Sequence, residues 1–253
     1  EVGSEVDHAH TGSDQLGRNV MDHHFRVGAR AVVDEFSDKY YSGRRPNGIY
    51  VPRFRNLGDA ATARKDYIRG FGYQGGGGRP GWDRDLTGEG FGAERKAALS
   101  QPGPWVMQLG AFGEILPYAD NRVTLDHDRK DKYGLPTLSA KVTIRENEKA
   151  MRKDMMAAAV EMLEAAGFKN VQAADLGYSP GLGIHEMGTA RMGRDPKTSV
   201  LNAHNQVHEC RNVYVTDGAA MTSASCVNPS LTYMALTARA VDHAVQAKKK
   251  GDL

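Results

Sequence analysis

The last quarter of the chain, residues 183–245, places the strongest constraint on the fold. Val213 and Val215 alternate with polar residues before Asp217-Gly218, a pattern typical of a half-buried strand that ends in a turn. Asn228-Pro229 then predicts a helix start, with asparagine at the N-cap and proline at the first helical position. The apolar residues that follow share one helix face, at Leu231, Met234, Ala235, Ala238, Val241 and Val245. The predicted helix N-terminus, with its free N–H groups, suits an anion or a developing negative charge.

Composition narrows the class of protein. The 253 residues are enough to bury a substantial core, in one domain or in parts of two. The 33 basic and 31 acidic residues leave a net charge of +2, which argues against a nucleic-acid footprint or a basic membrane-surface patch. No apolar run reaches membrane-spanning length. The two cysteines, Cys210 and Cys226, make neither a disulfide framework nor a CxxC metal motif, and Cys226 is expected to be a small buried residue.

The middle of the chain alternates apolar and polar residues in the manner of β-strands. The predicted strands cover residues 25–29, 50–54, 67–73, 105–116, 122–125 and 138–144. The turn at 118–121 is expected to pair 122–125 back onto 105–116. The glycine run from Gly75 to Gly78 could suggest a phosphate cradle. It lacks the Lys-Ser/Thr of a P-loop and no helix pattern follows it, which favours a flexible loop.

A helix is predicted in the segment that precedes Gly167. Its apolar residues fall on one face, at Met151, Met155, Ala158, Ala159, Met162, Leu163 and Ala166. Methionines at this spacing indicate core packing rather than a cofactor contact. The fold class predicted from these patterns is α+β, with a mostly antiparallel sheet and covering helices.

Two motifs carry a resemblance to a known family. The first is His185-x-x-Gly188-Thr189-x-Arg191-Met192-Gly193, followed downstream by Asp217-Gly218 and Asn228-Pro229. The second is Leu16-Gly17-Arg18-Asn19-Val20-Met21-Asp22-His23-His24. Together they resemble the glucose–methanol–choline (GMC) flavin oxidoreductases. Leu16-Gly-Arg-Asn, Phe112-Gly-Glu-Ile-Leu-Pro and Asn228 look like the sugar-oxidising branch, near pyranose oxidases and bacterial sugar or gluconate dehydrogenases.

The resemblance implies a redox reaction at an alcohol carbon. Oxidation of a CH–OH group needs a base for the hydroxyl proton and an acceptor for the hydride. The resemblance assigns the base to His185, the hold on the substrate oxygen to Asn228, and the acceptor to N5 of FAD. Histidine titrates near neutral pH, whereas the asparagine amide does not titrate. Cofactor contacts are expected from Asp217, Gly218, Asn228 and Pro229, and the choice between dehydrogenase and oxidase stays open.

The resemblance also implies a domain layout. Residues 1–24 are expected to be a remnant of an FAD-binding domain of Rossmann type, 25–180 the substrate-binding domain, and 181–253 the C-terminal segment of the FAD-binding domain. No GxGxxG fingerprint is present, so the chain alone is not expected to hold FAD tightly. The expected partners are a small sugar or polyol, with a separate N-terminal FAD-binding half or an electron-transfer subunit as further candidates. No targeting segment is evident, and the bacterial periplasm and the cytoplasm both stay open.

Other readings remain for the function and for the histidines. A non-catalytic carbohydrate-binding or subunit-interaction module would retain the fold without the cofactor. His204 and His208 have helical metal-ligand spacing, but the asparagines beside them and the strand that follows argue against a helix there. His8 and His10 lack a third ligand nearby. No metal site is therefore predicted.

Overall fold

The computed structural model describes residues 12–39, 48–79, 90–177 and 179–253. Within these ranges the fold is α+β with antiparallel sheets, as the sequence predicts, and it contains three helices. In chain order the elements are β1 (His23–Val33), β2 (Ile49–Val51), β3 (Gly72–Gly78), α1 (Ala93–Ser100), β4 (Trp105–Glu114), β5 (Arg122–Lys130), β6 (Pro136–Lys141), α2 (Glu146–Ala165), β7 (Gln172–Asp175), β8 (Gln206–Val207), β9 (Cys210–Tyr214) and α3 (Ser230–Lys250). The main sheet has five strands in the order β2-β3-β4-β1-β7.

Helix α2 packs on the β4-β1-β7 side of the main sheet. Its buried apolar residues, Met151, Met155, Ala158, Ala159 and Leu163, join the core with Phe71, Tyr73 and Leu109. Each such large side chain contributes about 1.5–3 kcal/mol when it leaves water. The prediction that the methionines pack into the core is confirmed. Helix α1, by contrast, was not anticipated from the sequence.

The glycine run is a strand, and the prediction of a flexible loop there is wrong. Gly75 to Gly78 lie in β3 and pair with β4, while Gly75 also opposes Ile49 of β2. A Cβ at Gly75 would come within 2.3 Å of the Gln108 carbonyl oxygen. Glycine is therefore used here for the close approach of two backbones. The strand also begins later than predicted, because residues 67–71 are irregular and Arg69 has a φ of 70°.

Two alanine substitutions in β3 should have different effects on the free energy of unfolding. Gly75→Ala is expected to lower the free energy of unfolding by about 3 kcal/mol, since the new methyl meets backbone atoms that cannot move aside. Gly78→Ala is the matched control: no described atom lies within 4 Å of its Cβ position. That change should be neutral or stabilising by up to about 1 kcal/mol. Urea unfolding of both variants measures the difference, and equal values would contradict the close-approach argument.

Strands β5 and β6 form a separate hairpin rather than extending the main sheet. Arg122 of β5 pairs with Lys141 of β6, so the predicted pairing of 122–125 onto β4 is wrong. Strand β6 ends at Lys141, before the predicted positions Val142 and Ile144, and its Leu138 is 72% exposed. Two-stranded hairpins need a further surface for stability. The hairpin is attached to the N-terminal segment by the Arg18–Arg122 bridge and by the Val123 N–H, which donates to the Gly17 carbonyl at 2.8 Å. Val123 and Ala140 also line the cavity described below.

The C-terminal quarter follows the predicted order of elements with two differences. Asp217 caps a short 3-10 turn at Gly218–Ala220, and α3 begins at Ser230 with Pro229 as the N-cap. Asn228 therefore precedes the helix by one position more than predicted, and the N-cap residue Pro229 provides no side-chain cap hydrogen bond. The predicted apolar face is largely exposed: Leu231 is 79% accessible, and the one buried residue of α3 in the described chain is Ala240. No helix in the described part of the chain is long and apolar enough to cross a membrane.

Candidate functional site

A cavity of about 560 Å³ lies where the two motif regions meet. The 181–189 loop contributes His185, the 3-10 turn contributes Gly218, and the first turn of α3 contributes Tyr233. Asp22, which precedes β1, and Asp217 also line it. The cavity thus joins segments from both ends of the chain to the β5–β6 hairpin.

Backbone hydrogen bonds fix the loop that carries His185. Met21 and Met187 exchange two such bonds, both 2.9 Å long, and the Gly188 N–H donates to the Gly218 carbonyl at 3.2 Å. Gly188 has a φ of 94°, and a Cβ there would lie 2.3 Å from the Asn19 carbonyl oxygen. Only glycine combines that conformation with that contact at low cost. The Gly188-Thr189 part of the motif therefore has a structural reason.

His185 contacts a second histidine. The rings of His185 and His23 meet edge to face, with centroids 4.8 Å apart. Burial lowers the pKa of His23, and so does the neighbouring His185; Asp22 and the backbone of Gly113 and Ser225 oppose the shift more weakly. His23 is therefore neutral at neutral pH. The Nδ1 atoms of both rings are buried and have no hydrogen-bond partner among the described residues.

The predicted residues near α3 are placed differently. Asn228 is exposed and Pro229 is buried, and neither is among the described residues that line the cavity. Tyr233 reaches the cavity from α3 instead, and its hydroxyl packs against Gly218. Burial raises the pKa of Tyr233, with the charge of Asp217 adding to the effect. The structure thus brings together His185, Asp217 and Gly218, whereas Asn228 stands outside that group.

The comparison with known proteins identifies this region. Residues 117–237 match the family described as GMC oxidoreductase. These residues belong to the GMC oxidoreductase family. The resemblance to this family is thereby confirmed. The matched range contains His185, the 3-10 turn and the start of α3, while the motif at 16–24 lies before it.

Relatives of the GMC region include a diol dehydrogenase and a sugar dehydrogenase. The 2-methyl-1,2-propanediol dehydrogenase of Mycolicibacterium austroafricanum is 31% identical over 246 residues, 90% of this chain and 41% of that protein. The fructose dehydrogenase large subunit of Gluconobacter japonicus is 29% identical over 57% of this chain and 24% of its own length. The solved pyridoxine 4-oxidase from Mesorbium loti aligns at 13% identity with a TM-score of 0.39, covering 93% of this chain and 44% of that one. The chain spans less than half the length of each.

Some residues at or beside the cavity have no role assigned from the sequence. Asp22 and His23 belong to the first motif, but nothing in that motif indicates that they contact the His185 loop. Tyr233 lies four residues after Pro229, so a count of one helical turn from the predicted helix start could have found it. Glu114 is buried and hydrogen-bonded to the loop that precedes α3. Its signal, an acidic residue at the end of an apolar strand, is weak.

The remaining predictions concern residues outside the cavity lining. Cys226 is buried, as expected for a small core residue. Arg191 donates to the Gln15 side chain and to the Thr198 carbonyl. His204 stacks on His243 with ring centroids 4.1 Å apart, while Nε2 of His208 lies 3.0 Å from the Ser199 hydroxyl. In the described ranges, no group of three His, Cys, Asp or Glu side chains could hold a metal ion. His8 and His10 lie outside those ranges.

Proposed function

We propose that the chain supplies the substrate-binding part and the catalytic loop of an FAD-dependent oxidoreductase that oxidises a CH–OH group of a sugar or polyol. The observation that carries the proposal is the half-buried imidazole of His185 on the wall of a cavity, with a buried and unpaired Nδ1. Membership of the matched region in the GMC family and the diol and sugar dehydrogenases among its relatives support it.

The residues at the cavity fit a flavin. The unpaired Nδ1 of His185 leaves one ring nitrogen with unused hydrogen-bonding capacity. The Asp217-Gly218 turn in the cavity wall would approach the cofactor with backbone atoms, as would the Asn228-Pro229 segment, which lies outside the cavity lining. The positive end of α3 favours negative charge near its first turn. When bound, FAD supplies the hydride acceptor.

The chain's own residues supply the proton chemistry. His185 would accept the hydroxyl proton of the substrate, and the non-titrating amide of Asn228 would hold the same oxygen. Because burial keeps His23 neutral, that ring does not place a second positive charge beside His185 at neutral pH. A neutral His23 therefore does not repel the proton that His185 would accept during the reaction.

We also propose the domain layout of 1–24, 25–180 and 181–253. The antiparallel contact between Met21 and Met187 supports it, since this contact joins the first and last of those segments without the middle one. Gly17, whose N–H donates to the Thr189 carbonyl at 2.7 Å, adds to the same contact. Apart from His23 and His24 at the start of β1, the main sheet and α2 then lie within the middle segment.

Visible spectroscopy tests the proposal directly. The full-length protein is expected to show flavin absorbance on purification or after addition of FAD, and to lose it when mixed anaerobically with an oxidisable sugar or polyol. A deoxy analogue without the reacting hydroxyl is the control and should leave the absorbance unchanged. A protein that takes up no flavin would contradict the proposal.

The same spectrum distinguishes the proposed oxidoreductase from an alternative, a non-catalytic binding or subunit-interaction module. One observation favours that alternative, namely the exposed apolar side chains of α3 at Leu231, Met234 and Val241. A colourless protein that still binds sugar or a partner subunit would support the module. Flavin bleaching by substrate would exclude it.

A further inference from the structure

Two buried carboxylates stand at the neighbouring ends of β1 and β4. Asp22 comes directly before β1 and Glu114 is the last residue of β4. The strands are paired there, with His23 opposite Glu114, and the Ile115 N–H donates to the Asp22 carbonyl at 2.8 Å. Both carboxylates therefore belong to one end of one strand pair.

Asp22 holds the loop that leads to His185. Its Oδ2 accepts the N–H groups of Gly181 and Gly183 at 3.1 and 3.0 Å, while Oδ1 accepts the His23 N–H at 2.7 Å. A Cβ at Gly183 would lie 2.0 Å from Oδ1, so the loop lies directly against the carboxylate. Hydrogen bonds to an ionised acceptor are stronger than neutral ones.

Glu114 holds the other loop in the same way. Its Oε2 accepts the Ser223 hydroxyl at 2.7 Å and the N–H groups of Ala224 and Ser225 at 2.8 and 3.1 Å. Its Oε1 lies 3.2 Å from Nε of Arg69, which is half exposed. Ser225 adopts a φ of 56°, a strained conformation that persists only where the surroundings enforce it. This loop ends at Asn228, three residues later.

We propose that Asp22 and Glu114 are paired positioning residues, each fixing one of the two loops that end in the proposed catalytic residues His185 and Asn228. The inference rests on the proposed function, and it adds that the spacing of the two loops is set by the β1–β4 pair. A displacement of about 1 Å at a reacting group can cost about 100-fold in rate. Fixing both loops to one rigid strand pair limits such displacement.

Amide variants test each anchor separately in the full-length, flavin-loaded protein. In the parent protein both oxygens of Asp22 accept N–H groups. In Asp22→Asn, either orientation of the amide therefore turns its NH2 group toward an N–H donor. Hydrogen exchange at 181–185 should become at least about tenfold faster, while 223–226 stays protected. Glu114→Gln should show the reverse pattern. In both variants flavin reduction by substrate should slow by about tenfold with the flavin retained.

Glu114→Gln also permits a rescue experiment. A glutamine that presents its oxygen to the loop turns its NH2 group toward the Arg69 guanidinium. The double variant Arg69→Ala with Glu114→Gln removes that opposition, and it should recover protection at 223–226 and a large part of the rate. Asp22→Asn has no equivalent rescue by Arg69→Ala, since Arg69 pairs with Glu114.

Asp131→Ala is the control for loss of a carboxylate contact elsewhere in the chain. The Asp131 Oδ1 accepts the N–H groups of Tyr133 and Leu135 at 2.8 and 3.0 Å in the β5–β6 turn, so this change removes the same kind of contact away from the two loops. It should alter exchange at that turn and leave flavin reduction unchanged. Loss of protection in both loops in each single variant, no change in exchange, or local exchange with an unchanged rate would each overturn the positioning proposal. Failure of the proposed function would give a different result: the rate of flavin reduction by substrate would be unchanged in His185→Ala.

Discussion

Replacing His185 by alanine should slow the reduction of bound flavin by substrate by a factor of about 100 to 10,000, the usual contribution of a positioned acid–base group. The imidazole lines the cavity, and its Nδ1 is buried without a partner in the described structure. Its removal therefore takes away a hydrogen-bonding group without breaking a described structural hydrogen bond. Anaerobic stopped-flow measurement of flavin bleaching gives the rate.

The control for this experiment is His208→Ala. His208 is also partly buried, but it lies near the Ser199 hydroxyl and outside the cavity lining. In the His208→Ala variant the substrate should reduce the flavin at the rate of the unchanged protein, and both variants should retain the flavin spectrum. If His185→Ala bleaches as fast as the parent protein, His185 is not the base.

Local patterns in the sequence predict the local elements well. Helix α2 follows from its apolar spacing, which places Met151, Met155 and Leu163 in the core, and β1 follows from the alternation that begins at Phe25. In both cases the residues that decide the structure are within one or two turns or pleats of each other. The order of strand, turn and helix in the C-terminal quarter follows for the same reason.

Contacts between distant parts of the chain do not follow from such patterns. The run Gly75 to Gly78 has the composition of a flexible loop, and only its pairing with β2 and β4 makes it a strand. The pairing of Arg122 with Lys141 rather than with β4 is likewise a choice between two neighbours that the alternation allows. Composition reflects the preferences of a segment by itself, whereas strand pairing depends on which other strands lie next to that segment.

The candidate site shows the same division. The motifs single out His185 and Asp217-Gly218, which the structure places on one cavity. The hydrogen bonds of Asp22 to Gly183 and of Glu114 to Ala224 join residues 161 and 110 positions apart. No periodic pattern records a contact of that separation. The helix start at Asn228-Pro229 is predicted to within one residue, the usual uncertainty of a helix boundary.

Acid should destabilise the fold through His24, a fully buried residue next to the site. Burial lowers the pKa of His24 to about 3, and the positive charges of Arg152 and of a protonated His23 act in the same direction. Neither ring nitrogen forms a hydrogen bond with a described residue, although the Glu114 backbone and the Asp175 carboxylate weakly oppose the shift. The folded protein therefore holds this ring neutral between pH 6.5 and 3, where the unfolded chain protonates it.

The sign of the pH effect follows from that difference. Between pH 6.5 and 3 the unfolded state binds the additional proton, so the free energy of unfolding falls as the pH is lowered. From pH 6.5 to 4.5 the loss should be about 2 kcal/mol, within a total of about 5 kcal/mol for the whole shift. The range above pH 4.5 is the informative one, because the lowered pKa of Asp175, caused mainly by its bond to Arg152, adds its own loss of stability at lower pH.

His24→Leu should remove this loss and stabilise the protein at pH 7. Nε2 of His24 lies beside Gly113, close to where the Met151 sulfur and the Met155 methyl group end, an apolar setting that suits leucine. The substitution also removes two buried nitrogens that lack partners in the described structure. His127→Leu, at an exposed position of β5, is the control and should keep the parent pH dependence. Urea unfolding at pH 7 and pH 4.5 measures both. An equal loss of stability on acidification in His24→Leu and in the parent protein would show that another group carries the effect, since the only titrating side chain that differs between the two is His24.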